Sequence, residues 1–189
     1  MNKKLTAKIQ KLEPTLSETS ADFAGCFVIE PQEKEQLLKK GAVYGVFELK
    51  HTSNPNTELV KSIIADVLND TYYHSDNISP IQSLEKAVSE VTEKISNLPG
   101  TTATVEKSVE LHLIATVLWG NVLYFVQFGT ANGYIIRHGN IKDINVTSEG
   151  NFSVSSGVVG DDDVVILSTK YFADVYTPQK LLQSAISAK

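Results

Sequence analysis

The side chains that could carry chemistry are few and widely spaced. Histidine, a frequent metal ligand, occurs four times, at His51, His74, His112 and His138. No two of these have the H-x₃-H spacing that places both rings on one face of a helix, so they form no zinc signature. We therefore interpret each histidine as an ordinary surface or strand residue, with a metal-binding role as the minor alternative.

The acidic triplet Asp161–Asp163 is the other arrangement that could hold a cation such as Mg²⁺ or Ca²⁺. Hard cations take six or more oxygen ligands, and three consecutive carboxylates between Gly160 and an apolar run do not supply that cage. Glycine and aspartate are also typical turn residues. The sequence therefore favours a solvated turn over a cation site.

Nucleophilic catalysis has no clear motif in this chain. Cys26, the one cysteine, lies beside Gly25, Phe27 and Val28, which favours a buried structural thiol over a reactive thiolate. It cannot form an internal disulfide, which favours a reducing compartment, and we predict a cytoplasmic protein. The sequence contains neither a G-x-S-x-G nucleophile elbow nor a G-x-x-x-x-G-K-[ST] phosphate loop.

The balance of charge argues against nucleic acid and anionic membranes as partners. The formal net charge is −5, and 16 of the 17 basic residues are lysine. Arg137 is the one side chain that could hold a phosphate with a guanidinium fork. Because no apolar run reaches the ~18 residues of a membrane span, we expect no membrane insertion by this chain.

The apolar pattern predicts two amphipathic helices followed by an antiparallel meander. The first helix follows residues 54–56 and repeats its apolar residues at helical spacing from Leu59 to Leu68. The second begins at Ser79-Pro80, a capping residue and a first-turn residue, and ends before Pro99. Glycine-asparagine turns then join β-rich runs, as in hairpins. The predicted strands are 24–29, 42–49, 109–119, 122–128, 134–138, 141–145, 152–159 and 164–168, and a last helix begins at Thr177.

These elements predict a layered architecture. Leu113–Leu118 is apolar on both faces, which indicates a sheet that is covered on both sides. Each helix has one apolar face that must pack on a sheet. We therefore predict an α+β chain with stacked antiparallel sheets flanked by helices. Residues 1–20 are polar and lysine-rich, and we expect them to form a loose lead-in to a single domain at 21–189.

Three segments, taken in order, resemble the metal-dependent protein serine/threonine phosphatases, the PPM family. Residues 43–48 are similar to the strand that runs into V-F-D-G-H-G-G, and residues 115–139 are similar to the hairpin that contains G-D-S-R. Residues 163–174 are similar to D-x-x-x-L-x-S-D-G-L-x-D. The resemblance covers Asp22 to Ile186 and implies a four-layer αββα sandwich. Because the family's final D-N segment has no counterpart, the resemblance implies a sandwich truncated at the C-terminus.

The resemblance also assigns the positions of the family's metal site. Members of the family use two divalent ions, usually Mn²⁺ or Mg²⁺, to activate a water that attacks phosphoserine or phosphothreonine. The metal-bridging aspartate falls on Glu48, and the glycine beside it falls on Leu49. The aspartate of G-D-S-R falls on Thr130, and the aspartate of S-D-G falls on Lys170. An early acidic position is matched by Asp22.

Thr130 and Lys170 replace two carboxylates of the family's metal site, and Lys170 adds an ammonium group. We therefore predict that no metal is bound, and that Lys170 forms an ion pair with Glu48 in place of the cation. The chain is then a catalytically degenerate PPM-type domain, a pseudophosphatase without a cofactor, that acts as a protein-binding or regulatory module. Its expected partner is another protein, with Ser/Thr-phosphorylated and signalling proteins as candidates.

Two alternatives stay open on the sequence. The first is an active phosphatase with a non-standard Mn²⁺ or Mg²⁺ site made from Asp22, Glu48 and Asp161–Asp163. The second is a proteasome-like amide hydrolase, whose fold also stacks helices on two sheets. That class needs an N-terminal nucleophile, and the nearest early candidate in this chain is Thr6.

Overall fold

A computed structural model of the chain describes residues 5–13, 22–31, 33–50, 57–75, 79–98, 110–144 and 152–187. Its described strands form two antiparallel sheets. The larger sheet has five strands in the order β1-β2-β3-β4-β7, and the smaller has three in the order β6-β5-β8. The strands are β1 Asp22–Ile29, β2 Val43–Lys50, β3 Glu110–Trp119, β4 Val122–Phe128, β5 Asn132–Arg137, β6 Asn140–Asp143, β7 Phe152–Val158 and β8 Val164–Ser168.

Helices lie on the outer sides of the two sheets. The α-helices of the described residues are α1 Lys34–Lys40, α2 Thr57–Val67, α3 Pro80–Ser96, α4 Lys170–Val175 and α5 Pro178–Ser187. Helices α2 and α3 pack against each other, and α3 lies on β3 and β4 of the larger sheet, whereas α5 contacts β6 of the smaller one. This arrangement of stacked sheets and flanking helices confirms the predicted α+β sandwich.

Two apolar clusters hold the layers together. One lies between the larger sheet and α2–α3, and it contains the apolar stripe that predicted the second helix: Leu84, Val88, Val91 and Ile95 are all buried. The other lies between the two sheets, around Ile114 and Phe125. Because side chains alternate across a strand, β2 contributes to both clusters, with Phe47 and Leu49 on the helix side and Val46 between the sheets.

The local signals for α3 act as the sequence predicts. The Ser79 hydroxyl accepts the amide proton of Gln82, and Pro80 occupies the first turn. Helix α2 ends differently, because the chain continues into a π-helical turn at Leu68–Tyr72 that the sequence did not predict. The Tyr72 hydroxyl donates to the Lys40 carbonyl at 2.6 Å, and Lys40 Nζ donates to the Tyr72 carbonyl at 2.9 Å. This reciprocal pair ties the end of α1 to the π-helical turn.

The start of the described chain contacts the rest of the fold at two points. Leu5–Glu13 forms neither helix nor strand, yet Leu5 packs against the cluster between the sheets and Glu13 contacts Cys26 on β1. The predicted boundary between lead-in and domain, after residue 20, lies outside the described residues. No helix within the described ranges is long and apolar enough to cross a membrane.

Candidate functional site

Glu48 places a carboxylate in the interior of the fold. It lies on β2 between two residues of the helix-side core, Phe47 and Leu49, so its own side chain points toward the smaller sheet. Only 4% of Glu48 is exposed. A buried carboxylate is costly unless hydrogen bonds or opposite charges compensate it, so the partners of Glu48 define the site.

The partners of Glu48 come from α4 and from its own strand. The backbone amide of Tyr171, in the first turn of α4, donates to Glu48 Oε2 at 3.3 Å. Lys50 Nζ lies 4.0 Å from Glu48 Oε1. The first amides of a helix have no partner within the helix and attract negative charge, so this carboxylate supplies what the start of α4 lacks.

The predicted ion pair between Glu48 and Lys170 does not form in this structure. Lys170 is exposed and makes none of the ion pairs found among the described residues, in which Glu48 pairs with Lys50 instead. The physical reason is that Lys170 is the first residue of α4. Its backbone carries the next amide toward Glu48, while its side chain extends into solvent.

His112 is the second buried polar residue of the site. It is directly opposite Glu48 in the register of β2 and β3, and only 3% of it is exposed. Its Nδ1 accepts the backbone amide proton of Thr130 at 3.2 Å. Its Nε2 lies 3.1 Å from Glu110 Oε1, although the two groups are not aligned as a hydrogen bond. The acceptor role of Nδ1 means that a neutral ring carries its proton on Nε2.

Electrostatics keeps His112 neutral. Burial is the main reason that its pKa lies below the usual value; Glu110 and Glu48 raise the pKa, and Lys50 and Lys170 lower it. The ring also fills space that a side chain on the neighbouring turn would need. A Cβ at Gly129, whose φ is +72°, would overlap His112 Nδ1. His112 thus fixes the position of the turn that carries Thr130.

The other predicted site positions are distributed unevenly. Through His112 and α4, the structure brings Thr130 and the Lys170 segment into one cluster with Glu48. Leu49 faces the opposite side of the sheet and is 1% exposed within the helix-side core. Asp22 is opposite Lys50 in the β1–β2 register, and its side chain lies outside the described set.

The described residues around Glu48 offer few ligands for a two-metal centre. Two adjacent divalent ions need several anionic ligands, and the described part of the chain contains no group of three or more His, Cys, Asp or Glu side chains arranged to hold even one ion. The one buried carboxylate, Glu48, already accepts a backbone amide and faces a lysine. In the described part of the chain, the partners of Glu48 are therefore a backbone amide and a lysine.

The acidic triplet lies away from Glu48. Asp163 forms a two-pronged ion pair with Arg137, with Nε–Oδ1 at 2.9 Å and Nη2–Oδ2 at 2.6 Å, and it also accepts the amide of Gly160 at 2.7 Å. Asp163 and Thr169 flank β8, whose five residues span roughly 16 Å. Asp161–Asp163 therefore forms a turn, as predicted, and does not join Glu48 as the alternative metal site requires. Arg137 is likewise engaged and is not a free phosphate fork.

The remaining candidates are Cys26 and the other three histidines. Burial, with help from Glu13, raises the pKa of the Cys26 thiol to about 11, so the thiol is protonated at neutral pH. His74 and His138 are exposed, and His51 lies outside the described residues. His112 is the functional candidate that sequence reasoning undervalued. Its signal was a single ionisable side chain in an otherwise apolar run that is covered on both sides.

Comparison with known proteins identifies the arrangement of sheets and helices. No family model matches this sequence, and no curated protein matches it. Solved structures do match. The serine/threonine phosphatase of S. agalactiae superimposes with a TM-score of 0.63 at 11% identity, covering 90% of this chain and 81% of that one. The Mycobacterium tuberculosis serine/threonine phosphatase PstP/Ppp gives 0.60 at 14% identity, covering 86% and 83%. The chain has the PPM-type phosphatase fold.

A third match is to a structure that contains metal ions. A structure of the PstP catalytic domain with two manganese ions superimposes with a TM-score of 0.58 at 14% identity, covering 86% of this chain and 83% of that one. At this level of identity the likeness establishes the PPM fold and not the activity. It favours the PPM arrangement over the proteasome-like alternative, for which Thr6 was the candidate nucleophile.

Proposed function

We propose that this chain is a catalytically inactive PPM-type domain, a pseudophosphatase, that acts as a protein-binding or regulatory module. The observation that supports this proposal most is that the Glu48 carboxylate already has partners within the protein. This carboxylate stands at the position that the resemblance assigns to the metal-bridging aspartate, and it accepts the amide of Tyr171 and faces Lys50. A metal ion would have to compete with both partners.

Charge at the site opposes a pair of divalent ions. A unit positive charge about 4 Å from another costs roughly 4 kcal/mol at an effective dielectric constant near 20, and the cost doubles for a divalent ion. Lys50 and Lys170 both place positive charge where it lowers the pKa of His112, and among the described residues it is Lys50 that pairs with Glu48. Glu48 and Glu110 offset these two charges, so the described cluster has no excess of negative charge to hold a pair of divalent ions.

The surface beside the cluster has the character of a binding surface. Tyr171 and Val175 of α4 are 67% and 50% exposed, and Tyr176, the residue after the helix, is 45% exposed. Aromatic side chains are enriched where proteins bind other proteins, because they bury a large area at a small entropic cost. Since Glu48 holds the first turn of α4, the former catalytic side of the fold presents this surface. The expected partner is another protein, with Ser/Thr-phosphorylated and signalling proteins as the candidate classes.

The test is a phosphatase assay on the purified chain with Mn²⁺ and a chromogenic phosphate ester. We expect no turnover above the protein-free blank, and no rise in melting temperature at millimolar Mn²⁺, because a ligand that binds the native state would stabilise it. The control is Glu35→Ala, a surface carboxylate that pairs only with Lys39 across one helical turn. Turnover that persists in Glu35→Ala and disappears in Glu48→Ala would overturn the proposal in favour of an active phosphatase with a non-standard metal site.

A further inference from the structure

The outer edge of β1 is the longest strand edge that the described residues leave without a neighbouring strand. β1 is the first strand of the larger sheet and pairs only with β2 among the described strands. The Cys26 amide donates to a side chain, Glu13, at 3.2 Å, so this amide lies on the outer edge. The direction of the backbone N–H groups repeats at every second residue of an antiparallel strand. The amides of Ala24 and Val28 therefore also point to the outer edge. The strand contains no lysine or proline, the usual deterrents to strand addition.

Leu5–Glu13 contacts this edge through Glu13 and forms no strand on it. At one end Leu5 packs against the apolar cluster between the sheets. At the other end Glu13 Oε1 accepts both the Cys26 amide and, at 3.3 Å, the Cys26 thiol. The side chains between them are exposed, including Ile9 and Leu12. The segment is thus fastened at two points, by one apolar side chain and one carboxylate.

The edge selects a carboxylate at the point where Glu13 lies. The hydrogen bonds from Cys26 and the charges of Lys61 and Lys11 together hold the pKa of Glu13 below its usual value. Lys61 belongs to α2 and lies over the Phe23 ring on the neighbouring part of β1, with Nζ 5.3 Å from the ring centroid. An anionic side chain from another molecule would meet the same amide and the same lysine.

We propose that the outer edge of β1 is a docking edge for an extended peptide segment of a partner protein. The segment carries a carboxylate at the place of Glu13 and an apolar side chain at the place of Leu5, and Leu5–Glu13 occupies the edge in cis until that partner displaces it. The edge supplies main-chain donors and acceptors, as in other cases of strand addition, and the amide of Cys26 with Lys61 supplies the selectivity for an acid. This inference rests on the proposed protein-binding function.

The reactivity of Cys26 reports whether Leu5–Glu13 is in place, because Cys26 is the one cysteine of the chain and contacts Glu13. The first experiment compares its alkylation rate in Leu5→Ala and Leu12→Ala at one pH. Both changes remove the same atoms from the same segment, but Leu12 is 70% exposed whereas Leu5 packs into the cluster. We expect Leu5→Ala to raise the rate roughly tenfold, because a partly buried leucine anchors the segment, and Leu12→Ala to leave it within about twofold.

Leu5→Ala is preferred to a change at Glu13 for a chemical reason. Glu13 itself raises the pKa of the Cys26 thiol, so removing it would increase thiolate and alkylation even with the segment in place. Equal rates in the two leucine variants would overturn the proposal. So would loss of cooperative melting in Leu5→Ala, since a segment that a partner can displace is not required for the fold.

The second experiment measures binding of a labelled peptide with the sequence of residues 5–13 to the wild-type and Leu5→Ala chains. We expect saturable binding to Leu5→Ala and none to wild type, where the tethered copy competes at an effective concentration in the millimolar range. The Glu13→Gln peptide should bind at least about tenfold more weakly, because it lacks the charge. Equal binding of the two peptides, or no binding to Leu5→Ala, would contradict the proposal. Neither outcome depends on phosphatase activity, so its failure is separate from failure of the proposed function.

Discussion

Replacing Glu48 distinguishes a structural carboxylate from a metal ligand by the sign of its effect on stability. A metal ligand without its metal is a buried charge with poor compensation, so its removal stabilises the metal-free protein. A carboxylate that caps a helix has the opposite effect. Because Glu48 accepts the Tyr171 amide and faces Lys50, we predict that Glu48→Ala destabilises the metal-free chain.

The size of the loss follows from the two contacts of Glu48. A hydrogen bond to a charged group contributes about 1.5–3 kcal/mol. The pair with Lys50 adds at most about 1 kcal/mol, since the lysine side chain is partly exposed and the distance is 4.0 Å. Relief of the burial cost of the carboxylate opposes both. We therefore expect a loss of about 2 kcal/mol for Glu48→Ala.

Glu48→Gln separates charge from hydrogen bonding. Glutamine keeps the length of the side chain and an oxygen that can accept the Tyr171 amide, but it loses the attraction to Lys50 and to the start of α4. We expect a loss of about 1 kcal/mol, half of that for alanine. The intermediate value is expected only if the oxygen acts as a hydrogen-bond acceptor for α4.

The assay is urea unfolding in the presence of a chelator, supported by thermal melting. A loss of 2 kcal/mol corresponds to a melting temperature lower by about 4–8 °C in a domain of this size. Glu35→Ala, which removes a carboxylate that is 75% exposed, should shift the melting temperature by no more than about 1 °C. A Glu48→Ala chain as stable as wild type, or more stable, would refute the capping role and restore the metal-ligand interpretation.

Two further predictions concern His112. Gly129 and Gly139 have nearly the same φ, +72° and +74°, but only at Gly129 would a Cβ overlap the His112 ring, whereas it would meet nothing within 4 Å at Gly139. Gly129→Ala should therefore lower the melting temperature clearly more than Gly139→Ala, which carries only the backbone strain of about 1 kcal/mol, and equal shifts would contradict the packing of the ring. Burial lowers the pKa of His112 in the folded chain, so stability is complete above the unfolded pKa near 6.5 and falls as the pH drops below it. His112→Asn should flatten the fall in urea stability between pH 7.5 and 5.5, and parallel curves for wild type and His112→Asn would rule out this contribution.

Local chemistry made the hairpins of this fold predictable. The structure gives 122–128 and 164–168 the same limits as the sequence prediction. Gly120 and Gly139 both have positive φ, as the turns between the paired strands require. Glycine adopts a positive φ far more easily than other residues, so a glycine between two β-rich runs predicts the turn directly from the sequence.

Three short helical elements were not predictable in the same way. Helix α1 buries no side chain and therefore has no apolar period in the sequence. The π-helical turn depends on the exchange of hydrogen bonds between Tyr72 and Lys40, which are 32 residues apart. Helix α4 has only a short signal, the hydroxyl of Thr169 accepting the Phe172 amide at 3.4 Å. None of these contacts leaves a periodic pattern along the chain.

The family resemblance assigns positions to the site but gives no information about the contacts between them. The family resemblance placed Glu48 and Lys170 together, and the structure does bring their backbones together through α4. Which lysine approaches the carboxylate depends on where each side chain points, and the register that sets His112 beside Glu48 depends on a strand pairing 64 residues apart in sequence. Periodicity within one segment contains neither kind of information.

The contacts of Glu48 give the proposed metal-free domain a connection between its two sheets. A buried carboxylate between the layers would destabilise the fold unless hydrogen bonds or an opposite charge compensated it. Here the amide of Tyr171 joins α4, which follows the smaller sheet, to Glu48 on the larger one, and Lys50 offsets the charge. The connection between the layers is then made by the chain itself. Because this connection needs no cofactor, we expect the exposed aromatic surface at α4 to stay in place whether or not cations are present, as the proposed binding function requires.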